Sequence, residues 1–137
     1  MSATLGITMT DQSLVVVGLG YVGLPLAFAA QRSGIRVVGL DVNQPIVDEL
    51  NAGRSHIDDV SNADVQEMLT LGFQATTDSR MIGQVSTVVI CVPTPLSEGG
   101  GPDLSYVEEA GRAICANLQP NQLIVLESTT YPGTTEE

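Results

Sequence analysis

Short apolar runs alternate along the chain with longer segments whose apolar residues recur every three or four positions. The run LVVVG (14–18) is continuous and ends in glycine, the pattern of a central parallel strand covered on both faces. Tyr21 to Ser33 then predicts a helix, with Val22, Leu26, Ala29 and Ala30 at helical spacing and Gly34 placed to stop it. Pro25 removes a partner from the Tyr21 carbonyl if the helix begins there, so a slightly irregular first turn is expected. Arg36 to Leu40 predicts a second strand, ending at Asp41, and Pro45 to Ala52 a helix capped by Asn43 and followed by Gly53. Asn62 or Asp64 opens another helix to Leu71, closed by Gly72; Phe73 to Thr76 is a short strand, and Asp78 caps a turn of helix. Ser86 to Val92 predicts a β-branched strand stopped by Pro93 and Pro95, and SEGGG (97–101) a loop tip. Pro102-Asp103 opens a helix through Asn117, apolar at Val107, Ala110, Ile114 and Leu118. Gln122 to Glu127 is the last strand, and its run Leu123 to Leu126 reads as buried. The alternation implies the α/β class: an open, doubly wound parallel sheet with helices on both faces and right-handed crossovers.

At 137 residues the chain has the size of one domain, assigned to 13–137 behind a tail at 1–12. The formal net charge is −11, the five basic residues are all arginines, and lysine is absent. Such a surface repels a nucleic-acid backbone, so nucleic acid is excluded as a partner. No apolar stretch is long enough to span a membrane, and MSATLGITMTDQ lacks the layout of a signal peptide, so a cytoplasmic location is expected. Cys91 and Cys115 are expected to be ordinary buried thiols.

Between the first strand and first helix stands Gly18-Leu19-Gly20-Tyr21-Val22-Gly23. Alone, this spacing is weak evidence. Here it follows a strand, opens a helix and precedes a second strand ending in an acid, Asp41, about twenty residues on, which is the setting of a dinucleotide fingerprint. Gly18 allows the tight turn, Gly20 lets a diphosphate approach the backbone, and Gly23 lets the helix pack closely. The amides of Tyr21 and Val22 have no partner within the helix and favour an anion. Asp41 can accept both ribose hydroxyls of an adenosine but opposes a 2′-phosphate, and the next basic residue is distant Arg54, so NAD rather than NADP is the expected cofactor.

The blocks VVVGLGYVGLPLA, LDVN, VVICVPTPL, PDLSYV and ESTTYPGTT, in this order, resemble the amino-terminal NAD-binding domain (Rossmann-type) of the nucleotide-sugar 6-dehydrogenases. In wording they are most similar to the enzymes acting on UDP-N-acetylglucosamine or UDP-N-acetylmannosamine. The resemblance implies oxidation of a sugar C6 alcohol to a carboxylate with two NAD, supplying polysaccharide precursors. It further implies a dimerisation region, a sugar-nucleotide domain, and a catalytic cysteine and lysine carried elsewhere in the enzyme. This lysine-free chain is then expected to be a truncated cofactor domain, inactive alone, of an enzyme that is a homodimer or higher oligomer and binds a UDP-sugar. Cys91, on a strand, matches no nucleophile motif. By resemblance Thr94 and Thr129 contact the cofactor near the nicotinamide ribose, and Thr129 also helps position the hydrolytic water. Ile46 stands where many relatives carry a basic residue beside the adenine. Two other readings remain open: a β-hydroxyacid-type dehydrogenase, and a stand-alone NAD-binding module without catalysis. His56, Asp58 and Asp59 read as a solvated polar loop rather than a metal site, and no metal is assigned; Glu108-Glu109 reads as an exposed helix face.

Overall fold

A computed structural model of the chain describes residues 13–91, 99 and 105–127. The tail, the proline-rich turn after Cys91, the opening of the following helix and the stretch after Glu127 lie outside the described residues. The elements run β1 (Ser13–Val17), α1 (Gly23–Arg32), β2 (Arg36–Leu40), α2 (Gln44–Asn51), α3 (Asn62–Thr70) and β3 (Gln74–Thr76). A 3-10 turn (Ser79–Gln84), β4 (Thr87–Ile90), α4 (Ser105–Asn117) and β5 (Leu123–Leu126) complete them. The strands form one parallel sheet in the order β3-β2-β1-β4-β5. Val15 at the centre lies opposite Val38 on one side and Val88 on the other.

Every residue of β1 is buried, because helices cover both faces of the sheet. Alternate residues of this strand divide between two cores. Leu14 and Val16 join Leu24, Ala27, Leu50 and Met68 under α1, α2 and α3. Val15 and Val17 join Ile82, Ala110 and Ile114 under the 3-10 turn and α4. This division is the physical content of double winding. The chain steps from β1 through β2 to β3, then returns to place β4 on the free side of β1, so the crossovers at the β1/β4 junction leave to opposite faces. A cleft opens beyond the carboxyl ends of those two strands.

Local chemistry accounts for most boundaries. Asn43 caps α2 by accepting from the Ile46 amide at 3.3 Å. Ser61 and Asp64 form a reciprocal capping box at the start of α3, and Asp78 caps the 3-10 turn. Gly34, Gly53 and Gly72 each take positive φ at a helix exit. α1 begins at Gly23 rather than Tyr21, which puts Pro25 in the first turn, where no amide is required. The irregularity expected from Pro25 is therefore unnecessary: Leu24 N–H reaches the Gly20 carbonyl at 3.1 Å and Leu26 N–H the Val22 carbonyl at 3.2 Å.

Three burial expectations fail. Cys115 is exposed, on the outer side of α4. Leu118 is also exposed, because α4 ends at Asn117 and the helical stripe stops with it. β5 pairs with β4 as expected, but Leu123 and Leu126 are 60% and 59% exposed. An apolar run signals that a strand can be buried; at the edge of the sheet, no described strand lies beyond β5 to do so. The opposite edge is protected differently. Asn51 donates from Nδ2 to the Ala75 carbonyl at 2.9 Å and accepts the Ala75 amide at 3.1 Å, satisfying the outer side of β3.

Candidate functional site

The turn leaving β1 is shaped by its three glycines for separate reasons. Gly18 has a φ of 98°, and its amide donates to the Leu40 carbonyl at 2.8 Å, tying the turn to the end of β2. A Cβ on Gly23 would sit 1.7 Å from the Gly18 carbonyl oxygen, so only glycine permits this approach of α1 to the turn. A Cβ on Gly20 would meet nothing within 4 Å. That empty space belongs to a cavity of about 760 Å³ at the carboxyl ends of the strands. Among the described residues none accepts a backbone hydrogen bond from the Gly20, Tyr21 or Val22 amides. Unpartnered amides at the start of a ten-residue helix, beside a space that a side chain would fill, suit a diphosphate.

Asp41 stands at the end of β2 and also lines the cavity. Its Oδ2 accepts the Leu19 amide at 2.9 Å and its Oδ1 the Asn43 amide at 2.9 Å. The carboxylate therefore braces the glycine turn from the neighbouring strand, and each oxygen retains acceptor capacity for a ribose hydroxyl. Beside it, Val42 and Ile46 on one wall and Ala110 and Ala113 of α4 on the other give the cavity an apolar flank. Among the described residues its acidic side chains are Asp41 and Glu109, and no arginine lines it. Thr94 and Thr129 lie outside the described residues, so the structure covers the end of the site nearest the glycine turn and Asp41.

Glu109, read from the sequence only as part of an exposed helix face, lines the cavity as well as being exposed, and two further lining residues were not expected there. Cys91, just after β4, is buried in the cavity wall, and its amide donates to the Val17 carbonyl at 2.7 Å. Burial, with the Glu127 carboxylate adding to it, pushes the Cys91 thiol up to about 11, so it is a neutral thiol and no nucleophile at ordinary pH. His56 corrects the reading of a solvated loop. Asp58 and Asp59 are exposed, but the His56 ring is partly buried and its Nε2 lies 2.6 Å from the Leu19 carbonyl. Among the described residues no group of His, Cys, Asp and Glu is arranged to hold a metal ion.

A strand, a glycine turn with open amides, a helix and an acid ending the next strand, set at a topological switch point, define a dinucleotide-binding domain of the Rossmann type. Comparison with known proteins narrows the class. Residues 12–137 match the family model described as UDP-glucose/GDP-mannose dehydrogenase family, NAD binding domain. The chain belongs to this family, and its cofactor is NAD. It is 41% identical to the UDP-N-acetyl-D-mannosamine dehydrogenase of Pyrococcus horikoshii over 126 residues, covering 90% of this chain and 30% of that protein. It is 39% identical to the UDP-N-acetyl-D-glucosamine 6-dehydrogenase of Pseudomonas aeruginosa over 131 residues, covering 94% and 30%. The solved structure of the Pyrococcus horikoshii enzyme superposes with a TM-score of 0.81 at 38% identity, covering 91% of this chain and 30% of that one. A ternary complex of the GDP-mannose dehydrogenase of Pseudomonas aeruginosa superposes with a TM-score of 0.79 at 32% identity, covering 90% and 30%. The chain thus spans about 30% of the length of the curated relatives it matches. No helix among the described residues is long and apolar enough to cross a membrane.

Proposed function

We propose that this chain supplies the coenzyme site of a nucleotide-sugar 6-dehydrogenase. That enzyme oxidises the C6 alcohol of a UDP-sugar to the uronic acid, with UDP-N-acetylglucosamine, UDP-N-acetylmannosamine or UDP-glucose as substrate. NAD, when bound, accepts hydride, and two NAD are consumed for each sugar. The amides of Gly20, Tyr21 and Val22 hold the diphosphate, within a turn shaped by Gly18 and Gly23, and Asp41 takes the adenosine ribose hydroxyls. Thr94 and Thr129 contact the nicotinamide end, and Thr129 positions the water of the hydrolytic step. The N-acetylhexosamine substrates are favoured by the relatives that share 37–41% identity with this chain. The complete enzyme is a homodimer or larger and acts in the cytoplasm.

The observation that carries this reading is the set of amides that find no backbone partner among the described residues, beside a cavity whose described charged lining is acidic. The lysine-free chain carries no residue able to serve as the family's catalytic lysine, so alone it binds NAD and turns nothing over. Counting NADH formed per UDP-sugar by the complete enzyme tests the reaction: two are expected, and one per sugar would exclude it.

A further inference from the structure

Leu19, inside the glycine turn, is held from three directions. Its N–H donates to Asp41 Oδ2 at 2.9 Å. Its side chain is fully buried, with its methyls 2.7 and 2.8 Å from where Gly39 would carry a Cβ. Its carbonyl is 2.6 Å from His56 Nε2. A carbonyl can only accept, so Nε2 carries a proton, while Nδ1 is buried without a partner. His56 is itself delivered by a fixed segment between α2 and α3. The Ser55 amide donates to Asn62 Oδ1 at 2.8 Å, the Ser55 hydroxyl donates to the Ile57 carbonyl at 2.9 Å, and Ile57 is buried in the core.

We propose that His56 is a positioning residue for the diphosphate of the coenzyme, acting through the Leu19–Gly20 peptide. It rests on the reading of the glycine turn as the diphosphate site. A trans peptide is planar, with C=O and N–H on opposite edges. A ring that fixes the Leu19 carbonyl therefore fixes the direction of the Gly20 amide, the first of the donors that face the cavity. The turn is then ordered before the ligand arrives, and binding loses less conformational freedom. The motif supplies the amides, while the imidazole from a separate crossover, thirty-seven positions away, holds their orientation.

The chain contains a single histidine, so its ring signals in a nitrogen-15 NMR spectrum are unambiguous. The neutral ring should be the Nε2–H tautomer. Binding of ADP-ribose, which carries the diphosphate, is compared with binding of adenosine, which does not, for the parent, His56→Phe and His56→Gln. His56→Phe should weaken ADP-ribose about five- to tenfold while leaving adenosine within about twofold, the loss set by one hydrogen bond. His56→Gln, which restores an N–H donor, should recover most of that loss. An Nδ1–H tautomer, an unchanged affinity in His56→Phe, or equal losses for both ligands would overturn the assignment. A parent chain that binds adenosine but gains nothing from the diphosphate would instead remove the reading of the glycine turn. If His56→Phe does not fold, the tautomer of the parent and the affinity of His56→Gln still decide.

Discussion

Replacing Asp41 by Asn keeps the shape of the side chain and removes its charge, and the structure separates two consequences. The first is internal. Asp41 accepts one amide on each oxygen, from Leu19 and Asn43. Asn has one carbonyl oxygen, so one amide must face an NH2 group, losing a charge-assisted hydrogen bond of about 1.5–3 kcal/mol. Thermal unfolding should therefore begin earlier. The second consequence concerns selectivity. A carboxylate about 4 Å from a 2′-phosphate opposes it by about 4 kcal/mol per unit charge at surface-like dielectric, roughly a thousandfold against NADP for each charge before screening. Asp41 is partly exposed, and solvent and salt reduce that value, so Asp41→Asn should lose about ten- to a hundredfold of the preference for NAD. Both coenzymes contain the same diphosphate. A disturbed glycine turn would lower the two affinities together, and only the ribose contact can move their ratio. Calorimetric titration of parent and variant with NAD and NADP reads that ratio directly. An Asp41→Asn chain that binds NAD as tightly as the parent, with the same preference over NADP, would refute the assignment of this carboxylate.

The glycine turn offers a paired test. Gly23→Ala places a methyl 1.7 Å from a backbone oxygen and should destabilise the fold by at least about 3 kcal/mol in urea unfolding. Gly20→Ala meets open space and should unfold within about 1 kcal/mol of the parent, yet bind NAD poorly because the new methyl occupies the cavity. Cys91 gives a pH dependence. Its folded thiol lies at about 11 against an ordinary 9.0, so the native state holds the proton longer than the unfolded chain. Stability is then full below pH 9 and falls by about 2–3 kcal/mol as pH rises towards 11, a slope that Cys91→Ala should flatten. At about pH 8, below the ordinary thiol range, an alkylating reagent should modify exposed Cys115 and spare Cys91 until the chain unfolds. Asn51→Leu removes both hydrogen bonds that shield the β3 edge and should cost about 2 kcal/mol in urea unfolding.

What the sequence determined by itself was local. Strand periods, the caps at Asn43 and Asp78, the exits at Gly34, Gly53 and Gly72, and the glycine turn with its acid are short-range patterns, readable because neighbouring residues enforce them. Even there small shifts occurred, as when α1 began two residues late to place Pro25 where its missing amide does no harm. Only the tertiary structure decided which distant groups meet. The link from His56 to the turn spans thirty-seven positions, that from Asp41 to Leu19 twenty-two, and that from Asn51 to Ala75 twenty-four. Nothing in the spacing of His56, Asp58 and Asp59 announces that the first folds inward while the other two remain in solvent. The exposure of β5 is likewise a tertiary outcome, since apolar character records what a strand can bury and its place in the sheet decides what covers it. Local backbone preferences write themselves into adjacent letters. Contacts across the sheet depend on how the crossovers pack, and that becomes definite only when the whole core assembles.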